Sequence, residues 1–559
     1  MSRCKISRRD ALKLSALGAG SLLLPLGRLG LSLADDGPAS PPVPLFQMAL
    51  PTPTVASPLY TTTVTTPEGA PSLADVYQLT AQVGLAYVLP GFGPTRIWGY
   101  NGLFPGPVFR VRSGRPVVVR HVNGLTAADT GAKELSLSAH LHGGNVDGFS
   151  DGHPFILNAP VEIVPGTVKQ HTYFNDQPAA TMWYHDHAIH HTARNVYHGL
   201  ASFYLLGDQH EDSLNLPAGE FDVPLVIQSK YFNPDGSLNF PPGDQPETAP
   251  NQGILGDTIL VNGAAWPFMN VQRRKYRLRF LNGSDGREFL LALSTGQPFI
   301  QIATEGGLLP APVPQNTIHI TPAERYEVVI DFSIYDGGTN VVLRNLLESG
   351  SLGSIMQFRV QAGSVTDTSQ VPNQLMEPGL QTSFDALRKI ANDLLIAEQH
   401  GAPPPVAIDQ FRAFRFERSD GGFAINGRFF DLNVDNALIR PGGHEVWNLQ
   451  NDSGGWFHPV HLHLLHAGFG FVVIDRNGVP IGARDQEFGW KETVNVGRNN
   501  ESVRVLMQWP AVPVNPANSN APVVSGQPAF DFFERRYVFH CHNIDHEDHD
   551  MMAQIRLTS

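Results

Sequence analysis

The sequence predicts an all-β protein of three similar sandwich domains, on three observations. Gly (54) and Pro (45) are abundant among the 559 residues without any collagen-like period, which suits a chain dense in turns. One pattern recurs three times: an Asn-Gly turn, an alternating strand, a turn, and a second alternating strand ending near another Asn. The copies run from Asn101-Gly102 to Asn123, from Asn262-Gly263 to Asn282, and from Asn426-Gly427 to Asn451. The length itself fits about three domains at the usual ~150 residues each. Repetition on this scale means similar β-sandwich units.

In chain order, residues 1–34 stand apart. Ser7-Arg8-Arg9-Asp10-Ala11-Leu12-Lys13 precedes an apolar, small-residue stretch from Leu14 to Leu24, and Ser32-Leu33-Ala34 offers a cleavage site. The paired arginines resemble a twin-arginine signal peptide, so export to the periplasm or out of the cell, then removal, is expected. The apolar stretch is too short to span a bilayer. Residues 35–60 are rich in Pro and Ser and read as an extended arm. The sandwich domains are expected at 61–215, 216–365 and 406–559. Between the last two, the connector 366–405 places Phe384, Leu387, Ile390 and Leu394 at near-helical spacing, which predicts one amphipathic helix packed on the domains.

Charge and cysteine usage exclude several functions. The net charge is −13, and the leader removes six basic residues against Asp10 alone, so the remainder is more acidic still. Such a surface suits neither nucleic acid nor an anionic membrane. Cys4 leaves with the leader, and Cys541 then has no partner for an internal disulfide. Its thiol is better explained by metal. A monomer is expected.

The metal chemistry centres on RYVFHCHNIDHEDHDMM, residues 536–552. Cys541, His546 and Met551 supply a thiolate, an imidazole and a thioether, three of the four ligands of a blue-copper site, and the fourth must come from elsewhere. In an extended strand His540 and His542 project opposite to Cys541, so they can hold metal behind it and give electrons a covalent path from one site to the next. Three further His-x-His pairs supply more imidazoles: His140 and His142, His185 and His187, and His461 and His463. Together the pairs provide enough donors for three copper ions where the first and last domains meet. The middle domain has none, reading GREFLLALSTG where the first has HLHG.

HLHG, WYHDH, HPVHLH and HCHNIDHEDHDM together resemble the three-domain multicopper oxidases of the laccase type, over essentially the whole chain after the leader. WYHDHAIH, GDTILVNGAAWPF and IQIATEGGLLP are most similar to the group containing spore-coat laccase, bilirubin oxidase and phenoxazinone synthase. The resemblance implies Greek-key cupredoxin domains and four copper ions: one type 1, one type 2 and two type 3. Carried over by position, it gives type 1 to His458, Cys541, His546 and axial Met551, and type 2 to His140 and His461. Type 3 takes His142, His185, His187, His463, His540 and His542. Asp151 and Glu547 match the acids that help deliver protons to oxygen, a role carboxylates can fill by relay.

The activity implied is one-electron oxidation of phenols or aromatic amines coupled to reduction of O2 to water, with a small aromatic substrate and O2 as partners. Electron uptake is expected at an exposed edge of His458 or His546. Bilirubin-like tetrapyrroles fit such a site too. A cuprous oxidase of copper tolerance is the alternative, but the nine Met form no methionine-rich run. A structural cupredoxin-type protein lacking ligands is opposed by the complete set. Gly148-x-Ser150-x-Gly152 fits a hydrolase nucleophile pattern without the strand-turn-helix context that pattern needs. His190, His191, His198 and His549 read as hydrogen-bonding or surface residues near ligands, and Asp186 as orienting or turn-forming.

Overall fold

The three Asn-Gly copies fold alike. Both turn residues take positive φ, 57° and 68° at Asn101-Gly102, 49° and 83° at Asn262-Gly263, and 52° and 71° at Asn426-Gly427, as tight hairpin turns require. Each Asn Oδ1 accepts from a backbone N–H of a neighbouring strand, that of Thr80, Val226 or Arg415. The closing asparagines are equally equivalent. Buried Asn123 donates to the Leu135 and Ile163 carbonyls, Asn282 to those of Arg287 and Ile320, and Asn451 to those of Trp456 and Gly497. A buried carboxamide must be satisfied, and each one here fixes the loop that feeds the next sheet.

The computed structural model describes residues 39–67, 69–131, 135–154, 162–241, 253–466, 468–498, 500–510 and 535–558. The expected leader and Cys4 lie outside them. Three pairs of sheets make three sandwiches. In the first, a five-stranded sheet containing Pro71–Ala86, Val117–Asn123 and Val168–Tyr173 packs against a four-stranded sheet of Phe109–Arg112, Ala201–Gly207, Ala180–Asp186 and Ala139–His142. The second pairs an eight-stranded with a five-stranded sheet, and the third a six-stranded with a five-stranded one. In all three the strand ending at the closing Asn runs parallel to a longer strand, Pro71–Ala86, Asp222–Phe232 or Gln410–Ser419, that is itself antiparallel to the strand leading into the Asn-Gly turn.

The described part of the arm, from Ala39, is hydrogen-bonded to the sandwiches. Phe46 and Leu50 N–H donate to the Trp266 and Phe268 carbonyls, and Ala56 N–H to that of Val108, so the arm crosses from the second sandwich to the first. The predicted helix spans Pro378–Gln399. Phe384, Leu387 and Leu394 are buried against Val446, Val472 and Leu506 on the outside of the third sandwich, with Ile390 partly buried beside them. Arg388 donates to the Val473 and Ile481 carbonyls and anchors the helix there.

Buried charge joins the first two sandwiches. Glu327 accepts from Thr181 Oγ1 at 2.6 Å, from Arg279 Nη1 at 3.0 Å and from Arg277 Nε at 2.7 Å, all within the interior. Burial alone would raise its pKa, but Arg277 and Arg279 hold the carboxyl below its usual range. Glu327→Ala is expected to cost about 3 kcal/mol, because it strands buried guanidinium charge. An earlier urea transition of the copper-loaded protein at neutral pH would show it. Because the folded pKa is depressed, this stabilisation is present above the unfolded value near ~4.3 and is lost as pH falls through the folded one.

Candidate metal centre

Two strand pairs carry the histidines, and their registers decide which face each one takes. In the first sandwich Ala139–His142 pairs antiparallel with Ala180–Asp186, setting His140 opposite His185. In the third, His458–Leu462 pairs with Arg536–Cys541, setting His461 opposite His540 and Val460 opposite Cys541. Alternation then sends His458, Cys541 and Met551 into the core of the third sandwich with Val460 and Leu462. His461, His463, His540 and His542 take the other face, where the histidines of the first sandwich meet them.

The meeting is close. His140 Nε2 lies 3.3 Å from His461 Nε2, and His540 Nε2 lies 3.2 Å from the Nε2 atoms of both His187 and His463. Donor atoms gather within 4.8 Å in three overlapping trios: His140, His461 and His463; His140, His142 and His185; and His187, His463 and His540. His542 lies beside the second trio, its ring centroid 5.1 Å from His142 and 5.2 Å from His185. All eight are at most 1 % exposed. Burial first, then the neighbouring imidazoles, pushes His142, His185, His187, His463, His540 and His542 well below the usual histidine range.

The second cluster joins Cys541 Sγ, 3.3 Å from His458 Nδ1 and 3.5 Å from His546 Nδ1, the two imidazole nitrogens being 3.3 Å apart. Cys541 N–H donates to the Met551 carbonyl and Met551 N–H to that of His546, closing the loop around the sulfur. The loop is braced from the first sandwich: Asp548 accepts from the Thr192 and Ala193 N–H groups at the start of the helix Thr192–His198. The expected exposed edge is absent. His458 and His546 are both 0 % exposed, covered by Ser453, whose Oγ lies 2.7 Å from His458 Nε2, and by Phe423, stacked on His546 at 3.7 Å.

Both expected acids reach the larger cluster. Asp151 Oδ2 accepts from His463 Nδ1 at 2.7 Å, and its carbonyl lies 2.6 Å from His140 Nδ1. Glu547 places Oε1 3.3 Å from His187 Nδ1 and Oε2 3.5 Å from His540 Nδ1. Burial and then Asp548 push the Glu547 carboxyl well above its usual range.

A third carboxylate is absent from the sequence reading. Glu492 Oε2 lies 2.5 Å from His461 Nδ1 and 3.0 Å from His142 Nε2, and its other oxygen pairs with Arg325 of the second sandwich. Next to it, Lys491 Nζ pairs with Glu305 and Glu324, again from the second sandwich. The middle sandwich holds no metal-binding trio among the described residues, yet it orients two of the imidazoles through Glu492. The only local signal was a charged Lys-Glu pair inside the otherwise strand-like GWKETVNV.

The remaining candidates take structural places. Asp186 sits where the third sandwich has Cys541 and accepts from Ser138 N–H, Ala188 N–H and Asn195 Nδ2, an orienting role. His190, His198 and His549 each bond a backbone carbonyl through Nδ1, and His191 opens the helix Thr192–His198. Ser150 Oγ donates to Asp147, which leaves no hydrolase arrangement there.

This donor set fits copper. Oxygen acceptors against Nδ1 of His140, His461, His463 and His540 place their N–H there, so lone pairs on Nε2 face one another at 3.2 to 3.3 Å and repel unless cations lie between them. The buried His185 Nε2, His142 Nδ1 and both His542 nitrogens have no hydrogen-bond partner. Burial likewise pushes the Cys541 thiol far up, so its thiolate needs a metal. One sulfur with two imidazoles and a nearby Met suits a blue-copper ion, and an all-imidazole cluster suits copper over harder cations.

Comparisons with known proteins agree. Family models described as multicopper oxidase match residues 83–210 and 402–558. The chain is 37% identical over 534 residues to a bilirubin oxidase of Albifimbria verrucaria, covering 93% of this chain and 82% of that one. It is 34% identical over 505 residues to a laccase of Bacillus subtilis, covering 83% and 91%. Among solved structures, a multi-copper oxidase from Pediococcus acidilactici superposes with a TM-score of 0.73 at 28% identity, over 94% of this chain and 95% of that one.

Proposed function

Because the chain belongs to the multicopper oxidase family, and is therefore a copper oxidoreductase with O2 as acceptor, we propose that its substrates are phenols and aromatic amines. The observation that carries this reading is the pair of clusters joined through one strand. Cys541 sits in the first, and its chain neighbours His540 and His542 sit in the second. Four copper ions bound at these residues would supply one-electron transfer from the substrate and reduction of O2 at the larger cluster. Four substrate molecules each give up one electron and one proton, and one O2 takes four of each to become two waters.

Each residue has a place in this proposal. His458, Cys541, His546 and Met551 would hold the type 1 ion, and His140 and His461 the type 2 ion. His187, His463 and His540 would hold one type 3 ion and His142, His185 and His542 the other, a grouping supported by the 3.2 Å approaches to His540 Nε2 and by the His542 ring beside His142 and His185. Peptide bonds from Cys541 to its neighbours form the electron path. Separation of the clusters keeps oxygen chemistry away from the substrate radical. Asp151 fixes the Nδ1–H of His463 and can pass a proton beside it, and Glu547, whose carboxyl oxygens face His187 and His540, can carry one on that side. Glu492 fixes His461 and His142.

The three sandwiches are proposed as domains at 61–215, 216–365 and 406–559, and the protein as an exported monomer. The paired Arg8-Arg9 motif supports export. O2 uptake by the copper-loaded protein, offered guaiacol, bilirubin or Cu(I) in parallel, tests the substrate class. Rapid uptake with guaiacol is expected. Uptake with bilirubin or Cu(I) alone would replace the phenol reading.

A further inference from the structure

Since neither His458 nor His546 has an edge in solvent, electrons must reach them through the residues that cover them. Phe423, itself buried, lies flat on His546, and Ser453 Oγ contacts His458 Nε2. Arg418 touches both covers. Its Cζ lies 4.3 Å over the Phe423 ring, and its Nε donates to the Ser453 carbonyl at 3.2 Å. It is exposed, and no carboxylate pairs with it among the described residues.

Position together with the lack of a counter-charge sets Arg418 apart: Arg344, Arg428 and Arg484 are also exposed without a paired carboxylate among the described residues, but Arg418 lies on the cover itself. Arg498 flanks the same loop, donating to the Gly455 carbonyl and lying over Phe457, but Glu288 pairs with it. Arg96, Arg112, Arg415 and Arg440, all exposed, are matched by Asp129, Asp212, Glu417 and Asp409. In a chain of net charge −13, the guanidinium over the Cys541 cluster is therefore a local positive spot in a negative field. Its Nη groups retain a planar donor fork of the shape that carboxylates and sulfonates accept.

We infer that Arg418 sets the substrate preference of this oxidase: it holds the carboxylate or sulfonate of an anionic phenol or aromatic amine while the electron-rich ring lies against the Phe423 and Ser453 cover. The anionic group stays intact throughout. The ring alone gives up an electron and its phenolic or amine proton, and Arg418 exchanges neither.

The inference rests on the phenol-oxidising reading, and one experiment separates the two. The copper-loaded protein is assayed by O2 uptake with three compounds sharing one ring: guaiacol, neutral; homovanillate, anionic; and vanillylamine, cationic. In Arg418→Gln the ratio of kcat/KM for homovanillate to that for guaiacol falls about fivefold, mainly through KM, and the ratio for vanillylamine rises. Arg418→Lys keeps the original order of preference. About 0.5 M salt narrows the preference of the unaltered protein, as a charge effect at an exposed site must. An unchanged ratio, or a common fall for all three compounds, overturns the role of Arg418 and marks it as structural or as a tuner of potential. If the unaltered protein oxidises none of the three, the phenol reading fails and this inference falls with it.

Discussion

Cys541→Ser loses the intense blue absorption of the copper-loaded protein and all turnover with guaiacol, yet it stays folded. Cys541 is 0 % exposed, and its sulfur is the only thiolate donor among the described residues, within 3.5 Å of both His458 and His546. The blue colour of such a site comes from the copper–thiolate bond, which a serine hydroxyl cannot replace. The fold has little reason to fail. Serine is nearly the same size, its hydroxyl can bond the imidazole nitrogens nearby, and burying a bonded hydroxyl costs only about 1 kcal/mol. Circular dichroism and the urea transition of the variant should therefore stay near those of the parent. The larger cluster should keep most of its copper, so metal analysis reads a loss of about one ion in four. A variant that remained blue would move the thiolate role away from Cys541. A variant that lost all its copper would show that the two clusters assemble as one unit.

Much of this arrangement was legible because it is local. Alternation along Arg536–Cys541 separates Cys541 from His540 and His542 whatever the surroundings, and the three Asn-Gly turns announce three sandwiches because their backbone demands positive φ. Pairing between chain-distant strands was also inferable, since four His-x-His pairs have no use apart. Contacts made only by packing were not legible. Glu492 meets Arg325 across 167 residues, and nothing in Trp490-Lys491-Glu492-Thr493 says that the second sandwich will neutralise it. The cover of the Cys541 cluster failed to show for the same reason: Phe423 lies on a hairpin turned at Asp420-Gly421 whose sequence is explained by the turn alone, and only the folded third sandwich lays it on His546. Spacing identified the ligands, whereas burial decided how substrate can approach them.

Asp151→Asn should separate the two halves of the reaction. The carboxylate lies on the oxygen side, 2.7 Å from His463 Nδ1, whereas the Cys541 cluster faces the core of the third sandwich and includes none of its atoms. An amide at 151 can still accept from the His463 N–H through its carbonyl oxygen, so the ring should remain oriented. It can no longer take up and release a proton. Bleaching of the blue colour by guaiacol without oxygen should then proceed within about twofold of the parent, and reoxidation of the reduced protein by O2 should slow by about a hundredfold, the scale of a lost acid–base group. The slowing should be relieved as pH falls, because four protons are consumed per O2 and solvent can then supply what Asp151 no longer relays. If both halves slowed equally, the acid would be holding the His463 ring in place. A copper count below that of the parent would support that outcome, because a displaced ring costs a ligand before it costs a proton.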